Sequence, residues 1–237
     1  MNLSANFSRH IFICFILIVT GLEGSCQDWI RSDDLNKFTH KVRTQNIEMY
    51  VDGTPYLYDE FIAGTIATND SLLYDNIFLR YNIYNDEMEF QLNVQNEVRI
   101  IGNPRDFLFF SINDKVFNYF TFVEKNRPQH GYFEVLNQGR CFVLVRRNIV
   151  FAEREEARAY SDAKPPRFEK MQDQFYLKFG DKLPVRVRLR RRSILEVFDD
   201  KRHEINNFIR QERLSFRNVD DLVKVADYYN RLVGGSD

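Results

Sequence analysis

Beyond residue 26 the chain holds three histidines, His40, His130 and His203, far apart in sequence. No HxxxH or HExxH pair and no CxxC accompanies them, so the ligand spacing of a zinc site is missing. GxSxG, P-loop and dinucleotide fingerprints are absent too, and the sequence predicts neither metal nor cofactor. A catalytic group assembled from distant positions would leave no local mark. Asp86-Glu87-Glu89 could act as a carboxylate pair or a calcium loop, but it lacks the glycine and the 12-residue spacing of the latter. Glu87 and Glu89 instead alternate with Met88 and Phe90, the pattern of a half-exposed strand. Cys141 sits in the strand-like run Arg140-Cys-Phe-Val-Leu-Val145 with no histidine or acid beside it, and reads as a small buried hydrophobe.

The strongest binding signal is Val185-Arg-Val-Arg-Leu-Arg-Arg-Arg192. As a strand it places Arg186, Arg188 and Arg190 on one face, with Val185, Val187 and Leu189 on the other, and Arg191 and Arg192 following. A row of guanidiniums can take phosphate or carboxylate bidentately, which suits an envelope protein, an anionic lipid or lipopolysaccharide. The same row would also discourage pairing at an edge strand. A second candidate surface lies within residues 107–123. Alternation there puts Phe107, Phe109, Phe117 and Tyr119 on one face and Leu108, Phe110, Phe120 and Phe122 on the other. A strand pair without a polar face is covered on both sides. The cover is ordinary core, a partner, or a concavity that holds an apolar ligand.

These groups sit in a chain of 237 residues with 33 Lys+Arg, 34 Asp+Glu and a net charge of −1. Hydrophobic residues make up 44% and charged residues 28%, which excludes collagen, a long disordered tail, a polytopic membrane protein and a generally basic nucleic-acid binder. The neutrality is a sum of opposites. Residues 27–130 carry 10 Lys and Arg against 16 Asp and Glu, net −6, whereas residues 131–237 carry 22 against 17, net +5. Twenty-two Phe and 12 Tyr beside only 10 Gly and 6 Pro point to a sizeable β-rich core.

Residues 1–26 read as a secretory signal: Arg9, the apolar run Ile11–Val19, then Gly24 at −3 and Cys26 at −1 for cleavage before Gln27. The run is too short to span a bilayer, so no transmembrane span is predicted. The rival reading is a lipid anchor on Cys26, against which Glu23 stands at a position that normally carries a small or apolar residue. Cleavage before Gln27 leaves Cys141 as the one cysteine, so packing rather than a disulfide within one chain must hold the fold.

The elements that must position these residues follow from the turns. Asn69-Asp70, Asn85-Asp86, Asn113-Asp114 and Gly180-Asp181 each separate two runs of high β-propensity, with Asn137–Arg140 and Gln95-Asn96 as further turns. Asn, Asp and Gly tolerate the positive φ of hairpin turns. The prediction is an α+β fold, mainly β: an antiparallel meander of about ten strands, curled into a half-barrel or closed because so wide a sheet accumulates twist. Residues 27–60 form an N-terminal segment with a short helix over Asp33–Arg43. Residues 61–190 form the meander, in which Ala152–Gln172 is a long surface excursion. Residues 191–237 switch to helical period and supply two helices that pack on the sheet as one domain with residues 27–190. Ser193-Ile-Leu-Glu196 has capping-box form and opens the first helix, with a break at Asp199-Asp200; Asn218 caps the second.

Six segments carry a resemblance: Gly53–Phe61, Leu79–Phe90, Gly131–Val135, Ala163–Phe168, Phe175–Gly180 and Asp227-Tyr-Tyr-Asn230. Together they resemble an uncharacterised family of exported, β-rich cell-envelope proteins of Bacteroidota-type Gram-negative bacteria. The resemblance implies a periplasmic or outer-membrane-associated location and no particular activity. Three functions remain open at this point. One is a non-enzymatic envelope protein that binds a partner or an acidic component. Another is a carrier of a lipid-like ligand in the curled sheet, and the third is a hydrolase whose site is not visible in sequence. Nucleic acid is not an expected partner for an exported protein of pI about 6.5.

Overall fold

The computed structural model describes residues 39–42 (backbone only), 51–91, 97–157 and 162–234. The export segment with Cys26, most of the N-terminal helix expected over Asp33–Arg43 and the Gln95-Asn96 turn lie outside the described residues. Within them the chain is mainly β with a helical C-terminal part, as the alternating runs predict.

The strands are β1 (Thr39–Val42), β2 (Ile62–Thr68), β3 (Leu73–Asn82), β4 (Glu87–Gln91), β5 (Val98–Ile101), β6 (Phe107–Ile112) and β7 (Lys115–Glu124). They continue as β8 (Arg127–Val135), β9 (Cys141–Arg146), β10 (Ile149–Ala152), β11 (Arg167–Lys170), β12 (Gln174–Phe179) and β13 (Val185–Val187). Eleven of them form one curled, half-barrel-like sheet in the order β1-β5-β4-β3-β2-β6-β7-β8-β9-β12-β13, which leaves β1 and β13 as its edges. Residues 39–42 are strand, not the expected helix, and pair antiparallel with β5.

The sheet is two meanders rather than one. From β2 the chain runs outward to β5, then doubles back so that β6 pairs with the other side of β2. The crossing is pinned locally. The Asn69 backbone N–H donates to the Asp106 carbonyl at 2.9 Å and its side-chain amide to the Arg105 carbonyl at 2.6 Å. Those bonds deliver Phe107 beside Thr68, where β6 begins. Pairing then places Tyr74, Ile66, Phe110, Phe117, Glu134, Val145, Phe175 and Val187 in one row across eight strands. That row marks the inner face.

On the β2–β8 side, the inner face is filled by Ile66, Tyr74, Leu79, Phe90, Phe110, Phe117 and Tyr132, each 0–1% exposed. On the β9–β13 side it is covered by three helices, α1 (Arg191–Val197), α2 (Arg202–Gln211) and α3 (Asp220–Gly234). The first expected helix is split in two at the expected break, where Asp199–Lys201 form a 3-10 turn. Its capping box does not form: the helix starts at Arg191, and the Ser193 hydroxyl accepts the Arg188 N–H at 3.1 Å instead. Ile194, Leu195, Phe198, Ile205, Ile209, Leu222, Val225 and Ala226 face Cys141, Val143, Leu177 and Val187 of the sheet. At about 25 cal/mol per Å² of apolar surface removed from water, this second core is a major share of what holds the helices.

The outer face has its own small core. Phe122 on β7 lies 5.8 Å from Tyr176 on β12, ring to ring, although two strands separate them in the sheet. β8 pairs with β9 only at Glu134↔Val145 and Val135↔Leu144. The distal β7–β8 hairpin is therefore free to arch over the outer face, burying Phe122, Phe133, Leu144 and Tyr176 beneath it. The turn of that hairpin, Lys125-Asn126 with φ of 50° and 61°, has the backbone of a type I′ turn and was not among those expected. Ala152–Gln172 differs from the expected excursion as well. Its end forms β11, which pairs with β10 as a separate two-stranded sheet held to Asp52 through Pro166 and Phe168.

Candidate functional site

The β12–β13 hairpin turns at Gly180, whose φ of +47° suits a residue without a Cβ. Register then pairs Arg186 with Tyr176 on the outer face, while Val187, 3% exposed, turns inward under the helices. The strand stops at Val187. The Arg188 N–H is taken by Ser193, and the Arg190 N–H donates to the Arg188 carbonyl at 2.6 Å, folding the chain sharply into α1.

That turn corrects the expectation of one arginine row along a strand. Arg186 is the one arginine within β13, Arg188 and Arg190 lie in the turn, and Arg191 and Arg192 enter α1. Arg191 is engaged by Asn206, its Nε donating to Oδ1 at 3.0 Å. Arg192 pairs with Glu196 at 3.1 Å one helical turn on. Arg186, Arg188 and Arg190 remain exposed, with no carboxylate partner among the described residues. Elsewhere in the sheet Arg80, Arg99 and Arg146 each hold a carboxylate, as does Arg167 of β11, while Arg127 at the start of β8 is exposed and makes no ion pair among the described residues. Beside Arg186, Arg188 and Arg190, Val185 is 46% and Leu183 48% exposed. Val185 was expected on the covered face with Val187. Its exposure follows from its place at the outer end of a three-residue strand, which periodicity does not reveal.

The aromatic surface expected from Phe107, Phe109, Phe117 and Tyr119 is mostly core. Phe107 and Phe117 are 5% and 0% exposed and belong to the inner cluster, which removes them from any partner. Phe110, assigned to the opposite face by simple alternation, stands directly across from Phe117. The two-residue Asn113-Asp114 turn pairs Ile112 with Lys115, so even-numbered positions of β6 share a face with odd-numbered positions of β7, and the register shift between β2 and β6 at Ala67/Thr68 brings Phe107 onto that same face. Phe109 is half-buried. Tyr119 is half-buried too, with its ring 4.9 Å from Tyr132 and stacked on His130.

The buried charges serve the fold. Arg80 donates to Glu89 Oε2 through Nε at 3.2 Å and Nη2 at 2.8 Å. Its guanidinium lies between the rings of Tyr56 (3.8 Å) and Phe61 (4.2 Å). Glu134, on the inner face, accepts from Lys115 at 2.6 Å and also from Arg147, which reaches Asp173 at 2.6 Å. Asp86, at the tip of the β3–β4 turn, enters the gap where β8 leaves β9. Its Oδ1 accepts the Tyr81 hydroxyl at 2.7 Å and the Tyr132 N–H at 3.3 Å, and its Oδ2 meets Arg146 at 3.2 Å. Burial raises the Asp86 carboxyl above its ordinary value despite those donors. Glu89, read from sequence as half-exposed, is fully buried. Asp86, Glu87 and Glu89 therefore do not converge as a carboxylate pair.

Cys141 is buried in the helix-covered core, and burial pushes its thiol far up, with Asp227 and Asp200 adding to the effect. His130 contacts Arg105 and Thr121, and His203 contacts Asn207. Among the described residues no group of histidine, cysteine and carboxylate side chains could hold a metal ion. A cleft of about 370 Å³ lies between the β10–β11 hairpin and the sheet, lined by Leu57, Ile83, Arg147, Lys170, Met171 and Asp173. Its lining shares Ile83 and Ile149 with the inner-face core, against which Leu57 also packs. On the β2–β8 part of the inner face, Tyr74, Phe90, Phe110, Phe117 and Tyr132 pack against one another.

Four of the six resembling segments supply packing contacts: Tyr56 and Phe61 sandwich Arg80, Gly131 leaves room for Asp86, and Asp227-Tyr-Tyr-Asn230 docks α3 on the β8–β9 turn. Among the described residues no helix is long and apolar enough to cross a membrane. No protein-family model, curated protein or solved structure matches this chain.

Proposed function

We propose that this chain is an exported, non-enzymatic binding protein of the cell envelope that holds an acidic partner at the β13 edge of its sheet. One observation carries the reading. Arg186, Arg188 and Arg190 are exposed together without a carboxylate at an open sheet edge, whereas Arg80, Arg99, Arg146 and Arg167 of other strands have theirs. The segregation of charge, net +5 over residues 131–237, supports the same choice of partner. An exposed guanidinium keeps its charge at any physiological pH and forms paired hydrogen bonds with a carboxylate. Contacts of this kind weaken as salt screens them.

The test compares the chain from Gln27 onward with its Arg186→Glu/Arg188→Glu/Arg190→Glu variant on immobilised polyglutamate and on envelope fractions, at low and high salt. The reading requires retention at low salt that high salt removes and that the triple variant lacks. Equal retention of the folded variant overturns it. The exposed positions of all three residues make normal folding of the variant the expectation, checked by circular dichroism.

A further inference from the structure

We infer that the acidic partner is a polypeptide that binds in extended form, adding a strand to the outer side of β13. This rests on the proposed acidic-partner reading and specifies what the partner must be. β13 is the last strand of the sheet: one side pairs with β12, and no described strand lies on the other. An edge strand presents unpaired backbone N–H and C=O groups, which a second extended chain can complete. A lipid headgroup or a polysaccharide offers anions but no row of alternating backbone donors and acceptors.

The side chains around β13 fix the pattern the added strand should carry. Arg186 stands on the outer face opposite Tyr176, and Val185 stands on the inner face with 46% of its surface exposed. Leu183, just before the strand, is 48% exposed and extends that apolar patch. Arg188 and Arg190 continue the positive charge beyond the strand's end. Side chains of a strand alternate between faces. A segment laid along β13 therefore meets arginine on one face and valine with leucine on the other. The complement is a short stretch in which Asp or Glu alternates with an apolar residue. With β13 only three residues long, a few backbone bonds are made, so affinity depends on both contributions.

The probe is a six-residue capped peptide of alternating Glu and Val, titrated into the chain from Gln27 onward, with binding read by amide NMR shifts. The controls are the same peptide N-methylated at alternate residues, a Glu/Gly/Ser peptide of equal charge, and vesicles of anionic phospholipid. Strand addition predicts that the alternating peptide binds at least about tenfold more tightly than the N-methylated and Glu/Gly/Ser peptides. It also predicts slowed exchange at the amides within Val185–Val187 that face away from β12. Substituting Val185→Thr, which keeps β-propensity and removes apolar surface, should weaken the alternating peptide alone. Equal binding of all three peptides, without slowed exchange, overturns strand addition and leaves acidic binding standing. Vesicles that displace the alternating peptide from the arginines overturn the choice of a polypeptide. No binding of any acidic probe overturns both readings. Protection in the free protein of the Val185–Val187 amides that face away from β12, together with a dimer in sedimentation, assigns the edge to a second copy and overturns this inference.

Discussion

Asn230 holds the backbone of Cys141 from both sides. Its Oδ1 accepts the Cys141 N–H at 2.7 Å, and its Nδ2 donates to the Cys141 carbonyl at 3.0 Å and to the Gln138 carbonyl at 2.8 Å. One side chain of α3 thus does for the start of β9 what a neighbouring strand would do. Asn137 extends the arrangement, donating to Asp227 at 2.9 Å and accepting the Val143 N–H at 2.7 Å. The close approach needs Gly139: its φ is +118°, and a Cβ there would stand 2.5 Å from Asn230 Nδ2.

Asn230→Ala removes the acceptor of the buried Cys141 N–H, while Asn137 Nδ2 still donates to the Cys141 carbonyl at 3.1 Å, and the expected loss is about 1–3 kcal/mol. Gly139→Ala should fall in the same range through backbone strain and the clash. Chemical denaturation measures both. Neutral behaviour of Asn230→Ala would mean that water or the turn itself replaces the amide.

The Arg80–Glu89 pair should behave as a unit. Glu89 is 0% exposed, so Glu89→Leu or Arg80→Met alone strands one buried charge and should cost about 3–5 kcal/mol. A double variant, Arg80→Met with Glu89→Leu, should recover part of that loss. The cycle is read by urea unfolding, and a fully additive result would show that the two side chains are not coupled.

Asp86 predicts a pH dependence with a definite sign. Its folded carboxyl is raised above the unfolded value of about 3.9, mainly by burial, so the native state takes up the proton more readily. The stability contribution is full below the unfolded value and is lost as pH rises through the folded one. Asp86→Asn keeps the acceptor for Tyr81 and tolerates the φ of +56°. Its stability relative to wild type should therefore increase from about pH 4 toward neutrality. Asp86→Ala loses the acceptor as well and should be less stable than both by about 1–3 kcal/mol. Unfolding curves across that pH range decide between these outcomes.

Cys141 should be inert in the native state. A thiol 0% exposed, with its ionisation pushed up by burial, presents almost no thiolate near neutral pH. Iodoacetamide should label the Cys141 peptide only as fast as the β9–α3 region opens, and at once in denaturant. Labelling within minutes under native conditions would contradict that packing.

Local chemistry marked most hairpins before any tertiary contact was known. Asn113, Asp86 and Gly180 take φ of 56°, 56° and 47° at the turns their residue types suggested. The break at Asp199-Asp200 was legible for the same reason. Lys125-Asn126 is less legible because lysine is a weak turn former, although Asn126 favours a positive φ. The arginines are legible as a charge cluster but not as a site, since Arg191 is engaged by Asn206 of the next helix while Arg192 pairs with Glu196 one turn on.

The sequence by itself determined the class of the fold: period-two alternation and two-residue turns demand antiparallel strands, and the apolar stripes of the last 45 residues demand helices. Strand order, the arch of β7–β8 and the burial of Phe107 and Phe117 were decided only in three dimensions. Long-range contacts such as Asn69 with Arg105 and Phe122 with Tyr176 accompany them, and no local pattern encodes those contacts. Whether a given arginine is neutralised or free is likewise set by what packing brings within about 4 Å of it. That is why the charge cluster was visible along the chain, and its three unpaired members became visible only in the folded protein.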